Sequence, residues 1–366
     1  MDPYIPDVLP IDISGFFTPD FVKLLSEASA DLAKYNGIMT NPSLDSAIFL
    51  SPMETKEAVL SSKIEGTMTT LDDVLRFDAD VFTGNKEGDI VEVLNYRTAM
   101  RDAKKWLEKG FPINQTVICE IQKTLLQGVH GQNKRLGEIR KEQVWIGPRN
   151  SSIENAQYVP PSPTNVPNFL ENLLSYMNME DQEPLIQTAI MHAQFEIIHP
   201  FMDGNGRTVR ILIPLFLWSK SRLDSPMFYI SEYLETNRDE YTNCLRNVTE
   251  HKNWEGWVRF FLHAIQVQSA KNAQKALEII DLYEKSKQVM FNVPNGQNCL
   301  RGLDVLFRMP IFSAVQFRKT AEMTHQTAGR VLAVYKQLGL VQTITPGAGR
   351  TSELLVFPDL YRLINE

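Results

Sequence analysis

Residues 199–210 have the sequence His199-Pro-Phe-Met-Asp-Gly-Asn-Gly-Arg-Thr-Val-Arg210, and this stretch decides the fold of the 366-residue chain. Residues 185–198 precede it with apolar side chains at helical spacing, and residues 209–218 follow it with a second, largely apolar helical pattern. The stretch, called the signature loop below, is therefore predicted to join two helices and to carry the polar side chains between them.

The residue types of the signature loop suit the binding of an anion. Gly204 and Gly206 permit positive φ angles and let a ligand approach the backbone. Consecutive loop amides beside a helix start form an anion-binding concavity, which the helix dipole reinforces. Arg207 and Arg210 lie three residues apart, so both guanidinium groups can face the same phosphate oxygens.

Two further side chains add a metal ligand and a base. Asp203 offers the hard carboxylate oxygens that Mg²⁺ takes together with substrate phosphates. His199 titrates near neutral pH and can accept a proton. Asp-Gly and Asn-Gly pairs are also strong hairpin-turn signals, but helical patterns rather than alternating strands flank them here. The loop is therefore interpreted as a site for a polyphosphate, a metal ion and a proton acceptor.

The signature loop resembles that of a known family, the Fic-domain proteins. It matches every specified position of their signature, HPFx[DE]GNGRxxR. The resemblance implies a mainly α fold with a Fic helical core and a β-hairpin flap. It also implies transfer of AMP from ATP to a hydroxyl side chain of a protein, with release of pyrophosphate. A kinase-like branch of the superfamily has lysine at the second loop glycine, so Gly206 favours nucleotidyl transfer.

The same resemblance implies a role for each residue of the loop. His199 would deprotonate the target hydroxyl, and Phe201 would anchor the loop in the core. Asp203 would hold Mg²⁺. The backbone of Gly204, Asn205 and Gly206 would cradle the phosphates. Arg207 and Arg210 would bind the β/γ end.

A second motif lies far upstream. Ser61-Ser-Lys-Ile-Glu-Gly66 resembles the inhibitory motif of the family, [ST]xxxE[GN]. Helical spacing puts Ser61 and Glu65 on one face, and Gly66 is a natural helix stop. In this family the glutamate pairs with the second arginine of the signature, here Arg210, and displaces the γ-phosphate. By itself the pattern also fits a solvated glutamate; beside the signature it predicts autoinhibition.

Residues 137–147 and 158–163 resemble the flap of the family, a β-hairpin that aligns the target segment by strand addition. Val144 and Ile146 alternate with Gln143 and Trp145, as in a strand. Ile146 and Gly147 are expected to lie closest to the nucleotide. An ordinary surface hairpin fits the same pattern.

Residues 231–242 are predicted to form one capped amphipathic helix. Tyr233, Asn237 and Tyr241 recur on one face at four-residue spacing, and the family uses this region around the adenine. Thr242 departs from the family pattern, in which a second tyrosine is common at that position. Aromatic residues at this spacing also fit a core face, so both interpretations stay open.

Composition argues against several functional classes. The formal net charge is −7 and the sequence pI is near 5.5, so no overall field attracts nucleic acid or an anionic membrane. The three cysteines are widely spaced, which fits a reducing cytoplasm and neither a disulfide framework nor a zinc site. His192 is interpreted as a core histidine rather than a metal ligand. No signal peptide and no apolar stretch near the roughly 20 residues of a membrane span are recognised, so no membrane association is expected.

Three domains are predicted from the turn and loop signals in the sequence. Residues 1–90 form a helical N-terminal region with the inhibitory motif and with helices from Thr18 and Ser43. Residues 91–290 form the Fic domain, which ends in a long helix from about Trp254 to Val289. Residues 291–366 resemble a winged helix-turn-helix domain, with helices over residues 313–323 and 326–338 and a closing hairpin.

The C-terminal domain offers few cations to a DNA backbone. Its second helix carries Arg330 and Lys336, and its hairpin carries Arg350. Phosphate-driven affinity scales with the number of phosphates neutralised. DNA binding is therefore the less favoured alternative to a packing or protein-interaction role.

Two classes of function remain open. The first is an autoinhibited adenylyltransferase that uses ATP and Mg²⁺ and modifies a Tyr, Thr or Ser of a protein, including itself, with a homodimer as a regulator. The second is a winged-helix regulatory protein that senses nucleotide, or an enzyme that removes AMP. The intact His199 and Arg210 favour the first class.

Overall fold

Apolar residues at helical spacing fill most of the chain, and a computed structural model shows it as mainly α with one small antiparallel sheet. The structure describes residues 2–40, 46–80, 87–128, 135–148, 152–180, 182–347 and 352–365. The predicted helix start at Ser43 and the hairpin cation Arg350 lie outside these residues. The mainly helical fold class is confirmed.

The chain divides into two compact units. Unit 1 comprises Met1–Lys34, Leu60–Thr67 and Leu94–Ala270, and unit 2 comprises Tyr35–Val59, Met68–Val93 and Lys271–Glu366. The described helices are α1 Pro19–Met39, α2 Ser46–Ile64, α3 Leu71–Asp78, α4 Glu87–Glu108, α5 Gln115–Leu125, α6 Val166–Met177, α7 Pro184–Ile198, α8 Asn205–Ser219, α9 Ser231–Thr236, α10 Arg238–His251, α11 Trp254–Met290, α12 Gly296–Arg308, α13 Ala314–Thr320, α14 His325–Gln337 and α15 Pro358–Asn365. The strands are β1 Ile311–Ser313, β2 Gln342–Thr345 and β3 Leu354–Val356.

Unit 1 is built around α7 and α8, the two helices predicted on either side of the signature loop. α7 packs against α6 and α8, and α8 also packs against α5. The N-terminus of α7 is capped by the carboxylate of Glu183, which accepts hydrogen bonds from the backbone N–H groups of Leu185 at 2.7 Å and Ile186 at 2.9 Å. Nearly all of α7 and most of α8 are buried, so the loop between them is held by two core helices.

Aromatic packing joins α7 to α11. The indole Nε1 of Trp257 donates to the Ala189 carbonyl at 2.7 Å. The ring of His192 stacks on Trp257, with centroids 5.6 Å apart. His192 is fully buried. Burial is the main cause that lowers its pKa to about 3, and the charge of Arg210 is the second. Its interpretation as a packed core histidine is therefore confirmed.

The C-terminal part of unit 2 runs in the order α12, β1, α13, α14, β2, β3, α15. The strands form an antiparallel sheet in the order β1-β3-β2, in which Leu355 faces Phe312 on one side and Thr343 on the other. α13 begins with a capping box from Ser313, and α14 is capped by Thr324. Both helices begin within two residues of the predicted positions.

Among the residues that the structure describes, no helix combines the length and the apolar character needed to cross a membrane. α11 is the long helix predicted from Trp254, and it ends one residue later than expected, at Met290.

Candidate active site

The signature loop is fixed by one of its own side chains, Asn205, and by a neighbouring side chain, Gln122. Phe201 is fully buried, as predicted for a core anchor. The side-chain amide of Asn205 pairs with both backbone groups of Phe201, each at 2.9 Å. Gln122 of α5 donates to the Asp203 carbonyl at 3.0 Å and accepts from the Gly137 N–H at 2.6 Å. The loop is therefore braced before any ligand binds.

His199 ends α7 in a left-handed conformation with φ of 49°. Such a conformation is uncommon for a residue with a Cβ and is concentrated at functional sites. Its Nδ1 lies 3.3 Å from the Glu196 carbonyl oxygen. Only an N–H can donate to a carbonyl, so this contact favours the tautomer with a proton on Nδ1 and a lone pair on Nε2. The ring retains 19% exposure.

The pKa of His199 is lowered to about 4, first by burial and then by the charge of Arg140. The Glu196 carbonyl and the Glu65 and Asp203 carboxylates oppose this shift. The imidazole is therefore neutral at neutral pH and can accept a proton at Nε2.

Arg140 is a functional residue that sequence reasoning missed. It is 1% exposed and donates to four backbone carbonyls around the loop: His199 at 2.8 Å, Pro161 at 2.6 Å, Glu142 at 3.2 Å and Ile198 at 3.4 Å. It joins the base of the flap to the start of the signature loop. Burial lowers its pKa to about 10. Nothing in the Arg-Lys-Glu run marks Arg140 as the buried member, so the sequence held no signal for it.

The inhibitory motif lies directly on the second arginine of the signature. Arg210 is 1% exposed and donates from Nε to Ser61 Oγ at 2.8 Å and from Nη2 to the Ser61 carbonyl at 2.9 Å. The same Nη2 is 2.6 Å from Glu65 Oε1. Gly66 follows with φ of 99° and ends the segment as expected. The structure thus joins residues separated by 145 positions in the sequence.

Glu65 is bound as an anion. Burial raises its pKa, but the charge and hydrogen bond of Arg210, together with Arg207 and His199, outweigh burial and leave the pKa below its ordinary value. Its carboxylate also packs against Gly206, where a Cβ would collide with Glu65 Oε1. The second loop glycine therefore makes room for the Glu65 carboxylate.

Asp203 lies at the open side of the loop, and Arg207 is buried beside it. Asp203 Oδ1 accepts from the Gly204 N–H at 2.6 Å and lies 3.8 Å from Arg207 Nη2. The Asp203 side chain is 35% exposed, whereas that of Arg207 is 4% exposed. No cluster of three or more His, Cys, Asp or Glu side chains suited to a metal occurs among the described residues. A cation at Asp203 would thus take most of its ligands from phosphate and water, which suits Mg²⁺.

The flap is reduced to a single antiparallel bridge within the described residues. Ile146 donates to the Tyr158 carbonyl at 2.8 Å and accepts from Tyr158 at 3.0 Å. The predicted hairpin arms, residues 137–147 and 158–163, are otherwise irregular. The Tyr158 hydroxyl donates to the Ile197 carbonyl at 2.7 Å and ties the flap to α7. Ile146 is 41% exposed, and Gly147 follows it on the open side of this bridge.

The single helix predicted over residues 231–242 is wrong, because the chain breaks it at Asn237 into α9 and α10. The Asn237 amide donates back to the Tyr233 carbonyl at 2.9 Å. The Tyr233 ring packs against Phe260, with centroids 5.9 Å apart. Tyr241 is buried, and its hydroxyl is 2.9 Å from His192 Nε2. Tyr233 and Tyr241 both pack on Phe260 of α11 although the helix is broken between them, which fits the core alternative for these two residues.

A cavity of about 130 Å³ lies between the flap, the end of α7 and α10. Its walls include Ile146 and Tyr158 of the flap, Glu196 of α7, and Thr242 and Arg246 of α10. Thr242, the position that departs from the family pattern, thus faces open space beside the site.

Comparison with known sequences agrees with this geometry. Residues 112–217 match the sequence model described as Fic/DOC family, and residues 22–105 match that described as Fic/DOC family N-terminal. Together the two segments span more than half of the 366 residues. The chain belongs to the Fic/DOC family.

Curated relatives carry a more particular description. A "Probable protein adenylyltransferase" of Aquifex aeolicus is 26% identical over 208 residues, which are 55% of this chain and 57% of that protein. The "Protein adenylyltransferase fic-1" of Caenorhabditis elegans is 34% identical over 84 residues, 22% of this chain and 15% of that protein. The "Protein adenylyltransferase Fic" of Drosophila grimshawi is 30% identical over 129 residues, 34% of this chain and 24% of that protein. The matches thus span at most about half the length of these relatives.

Solved structures share the fold. A Fic family protein from Desulfovibrio desulfuricans G20 aligns with a TM-score of 0.58 at 18% identity, over 97% of this chain and 98% of that chain. A structure of C. elegans Fic-1, residues 134–508, aligns with a TM-score of 0.56 at 20% identity, over 72% of this chain and 75% of that chain. At these identities the likeness concerns the fold.

Proposed function

We propose that this chain is an autoinhibited protein adenylyltransferase, which transfers AMP from ATP to a Tyr, Thr or Ser hydroxyl of a protein, its own chain included. The observation that carries the proposal is the contact of Arg210 with Ser61 and Glu65 beside the base His199. The fold, the complete signature and the names of the curated relatives support the same reaction class.

In the proposed reaction, the hydroxyl gives its proton to His199 Nε2 as its oxygen attacks the α-phosphorus of ATP. A new O–P bond forms, the bond between the α-phosphorus and the bridging oxygen breaks, and pyrophosphate leaves with the electron pair. The loop amides at Gly204 to Gly206 and the guanidinium of Arg207 would hold the phosphates. Mg²⁺ at Asp203 would neutralise phosphate charge when bound.

Glu65 would block this arrangement by taking the place of the γ-phosphate on Arg210. A carboxylate there competes for the same guanidinium and repels an approaching phosphate. If the blocked arrangement is favoured by about 3 kcal/mol, its release increases the rate on the order of 10²-fold.

The test is AMP incorporation by four variants beside the wild type. Glu65→Gly should increase incorporation, and Ser61→Ala should increase it less because Ser61 only supports Arg210 and the helix end. Arg210→Ala should be inactive, also in the Glu65→Gly background, because ATP itself needs the arginine. If Glu65→Gly is no faster than a slow wild type, the autoinhibition is disproved.

The alternative function is a nucleotide sensor or an enzyme that removes AMP. Its specific support is the same Arg210–Glu65 contact, because a chain held in this arrangement can bind a nucleotide without transferring it. Labelled ATP separates the classes, since a sensor transfers no label even as Glu65→Gly.

We also infer that the C-terminal part of unit 2 is a winged helix-turn-helix that serves packing or protein contacts. The order of its helices and strands supports this fold. Lys336 of α14 is held by Glu353 at 2.6 Å, so this cation is partly neutralised. A gel-shift assay with duplex DNA at about 0.15 M salt should show no complex; a tight complex would contradict the inference.

A further inference from the structure

One carboxyl group near His199 has no part in the reaction described above. Glu196 lies on α7, one turn before His199, and its side chain is only 15% exposed. Its Oε2 is 3.9 Å from His199 Nδ1. Its Oε1 is 3.5 Å from the Tyr241 hydroxyl, which in turn contacts His192. A mostly buried carboxyl in a helix that is otherwise largely apolar requires a reason, because burying it is costly.

We propose that Glu196 is the positioning residue of His199: its carboxylate fixes the imidazole ring and stabilises the imidazolium that forms when His199 takes the proton of the target hydroxyl. The inference rests on the proposed role of His199 as the base. It goes beyond that role, because it assigns to a residue outside the signature loop the task of making the base effective.

The physical argument begins with the two contacts at Nδ1. The Glu196 carbonyl at 3.3 Å sets the tautomer, and the Glu196 carboxylate lies on the same side of the ring. When Nε2 accepts a proton, the ring becomes a cation with an anion 3.9 Å away in a poorly solvated site. A carboxylate behind a catalytic imidazole acts in this way in hydrolytic triads.

The groups facing Glu196 come from every element packed around it. Tyr241 of α10 and Arg210 of α8 favour its anionic form, and Glu65 at the end of α2 opposes it. His199 and His192 lie on its own helix and loop, and Tyr158 of the flap and Arg246 of α10 line the same cavity. Burial first, and then the charge of Glu65, raise the pKa of Glu196 to about 7.

Glu65 would therefore act on the base as well as on the phosphate site. While Glu65 occupies Arg210, Glu196 is partly protonated near neutral pH and gives His199 less support. When Glu65 leaves, a cause of the raised pKa is lost, so Glu196 ionises at lower pH. The inhibited arrangement thereby weakens the proton acceptor at the same time as it blocks the γ-phosphate.

The first experiment measures His199 directly and needs no enzymatic activity. The full chain, with its six histidines labelled with ¹³C and ¹⁵N, is titrated by NMR as Glu65→Gly and as Glu65→Gly/Glu196→Gln, and His199→Gln identifies the signal. Glu196→Gln keeps the size and the polarity of the side chain but removes the charge. In Glu65→Gly, the ring signals of His199 should shift as pH passes the pKa of Glu196, which lies above the pKa of His199. This shift should be absent once Glu196 is Gln, and identical curves for the two variants would overturn the proposal.

The second experiment measures the pH dependence of AMP transfer in the same two variants. In Glu65→Gly, kcat should rise with increasing pH around the pKa of Glu196, which should lie below 7 once Glu65 is absent. With Glu196→Gln added, that rise should disappear and kcat should fall on the order of tenfold, while KM for ATP changes little. Glu196→Asp should recover part of the rate and the rise with pH, because it restores a carboxylate.

Glu183→Gln is the matched control, because Glu183 is a partly buried carboxyl at the other end of α7. It should leave the pH profile unchanged. Equal profiles for Glu65→Gly with and without Glu196→Gln would disprove the role of Glu196. A Glu65→Gly variant that transfers no AMP would instead disprove the proposed function, and the NMR titration would still decide on Glu196.

Discussion

At the scale of single residues, His199 combines features that a general base requires. Its backbone is held in a left-handed conformation by the end of α7, and Arg140 donates to its carbonyl at 2.8 Å. Its lowered pKa keeps the imidazole neutral above about pH 4. It can therefore accept a proton at physiological pH without first having to lose one.

His199→Ala should lower AMP transfer by about 10²–10⁴-fold, because that is the usual contribution of a positioned base. Binding of ATP should change little, since the loop amides and the arginines make the phosphate contacts. Incorporation of labelled AMP and calorimetric ATP binding check the two parts. His251→Ala, which removes an exposed histidine at the end of α10, is the control. Transfer within a few-fold of wild type would remove His199 from the role.

Asp203→Ala should weaken the Mg²⁺ dependence of transfer. Asp203 is the carboxylate of the signature loop, and it is exposed enough to reach a cation beside bound phosphate. Loss of one charged ligand should raise the Mg²⁺ concentration for half-maximal rate by about tenfold, which corresponds to about 1.4 kcal/mol. Asp239→Ala, on the exposed side of α10, is the comparison. An unchanged Mg²⁺ curve would place the metal elsewhere.

Sequence reasoning predicted some residue roles and not others, for a physical reason. Ser61 and Glu65 were predicted to share a helix face, and the structure brings both to Arg210. The pairing of the Asn205 side chain with the Phe201 backbone could not be predicted, because it depends on loop conformation rather than on spacing. Gln122 likewise braces the loop only because α5 packs on α8.

At the scale of elements, the last turn of α2 is the segment that must move for Arg210 to become accessible to ATP. Beyond the Arg210 contacts, an ion pair holds this turn in place: Lys63 Nζ is 2.8 Å from Glu235 of α9. The two side chains are 53% and 25% exposed, so water and salt screen the pair.

Lys63→Ala should therefore activate AMP transfer modestly. An exposed ion pair contributes about 0.2–1 kcal/mol, so the gain should be at most about fivefold, well below that of Glu65→Gly. High salt should erase the difference from wild type. Lys105→Ala is a matched control, because Lys105 is 57% exposed and its ion pair with Asp102, at 3.0 Å, lies within α4. If Lys63→Ala were no faster than wild type while Glu65→Gly was active, the ion pair would have no role in holding the segment.

The spacing of apolar residues predicted where the long helices occur better than it predicted the breaks within helices. α7 and α11 begin and end within one residue of the expected positions because their apolar patterns are continuous, whereas α8 begins at Asn205, four residues before the predicted apolar pattern. The break at Asn237 was missed because no glycine or proline marks it and the spacing of the tyrosines continues through it. The flap has the alternation of a strand, but only one bridge forms in its described part, since Arg140 and Tyr158 bind carbonyls of the loop and of α7 instead.

At the scale of the whole molecule, spatial contacts group the chain differently from its linear order. Leu60–Thr67 belongs by its contacts to unit 1, which contains the signature loop, whereas the start of α2 belongs to unit 2. Turn and loop signals in the sequence cannot show this, because the boundary between Val59 and Leu60 lies inside the continuous helix α2. Ser61 and Glu65 thus belong to unit 1, where Ser61 is buried and the Glu65 side chain is 38% exposed, and replacing them should change the stability of the protein as well as its activity.

Glu65→Gly should lower the thermal unfolding midpoint, because it removes the carboxylate that is hydrogen-bonded to the buried guanidinium of Arg210, which keeps its hydrogen bonds to Ser61 and the weaker charge interaction with Glu196. Losing the partner of a fully buried ion costs about 3–5 kcal/mol. The Glu65 side chain is 38% exposed, so a cost of about 1–2 kcal/mol, or a few degrees, is expected after screening. Because the pKa of Glu65 is lowered on folding, the difference from wild type should exist above the ordinary carboxyl pKa and vanish as pH falls through the lowered value.

Mg²⁺–ATP should restore more stability to Glu65→Gly than it adds to the wild type. In the variant, the γ-phosphate supplies the anion that Arg210 lacks, whereas in the wild type it must first displace Glu65, which reduces the net gain from binding. Differential scanning calorimetry with and without Mg²⁺–ATP measures both shifts. Glu108→Gly, which removes an exposed glutamate at the end of α4, should show the wild-type ATP shift. Equal ATP shifts in all three proteins would mean that Glu65 and the nucleotide do not compete for Arg210, and the contact between them would then be structural only.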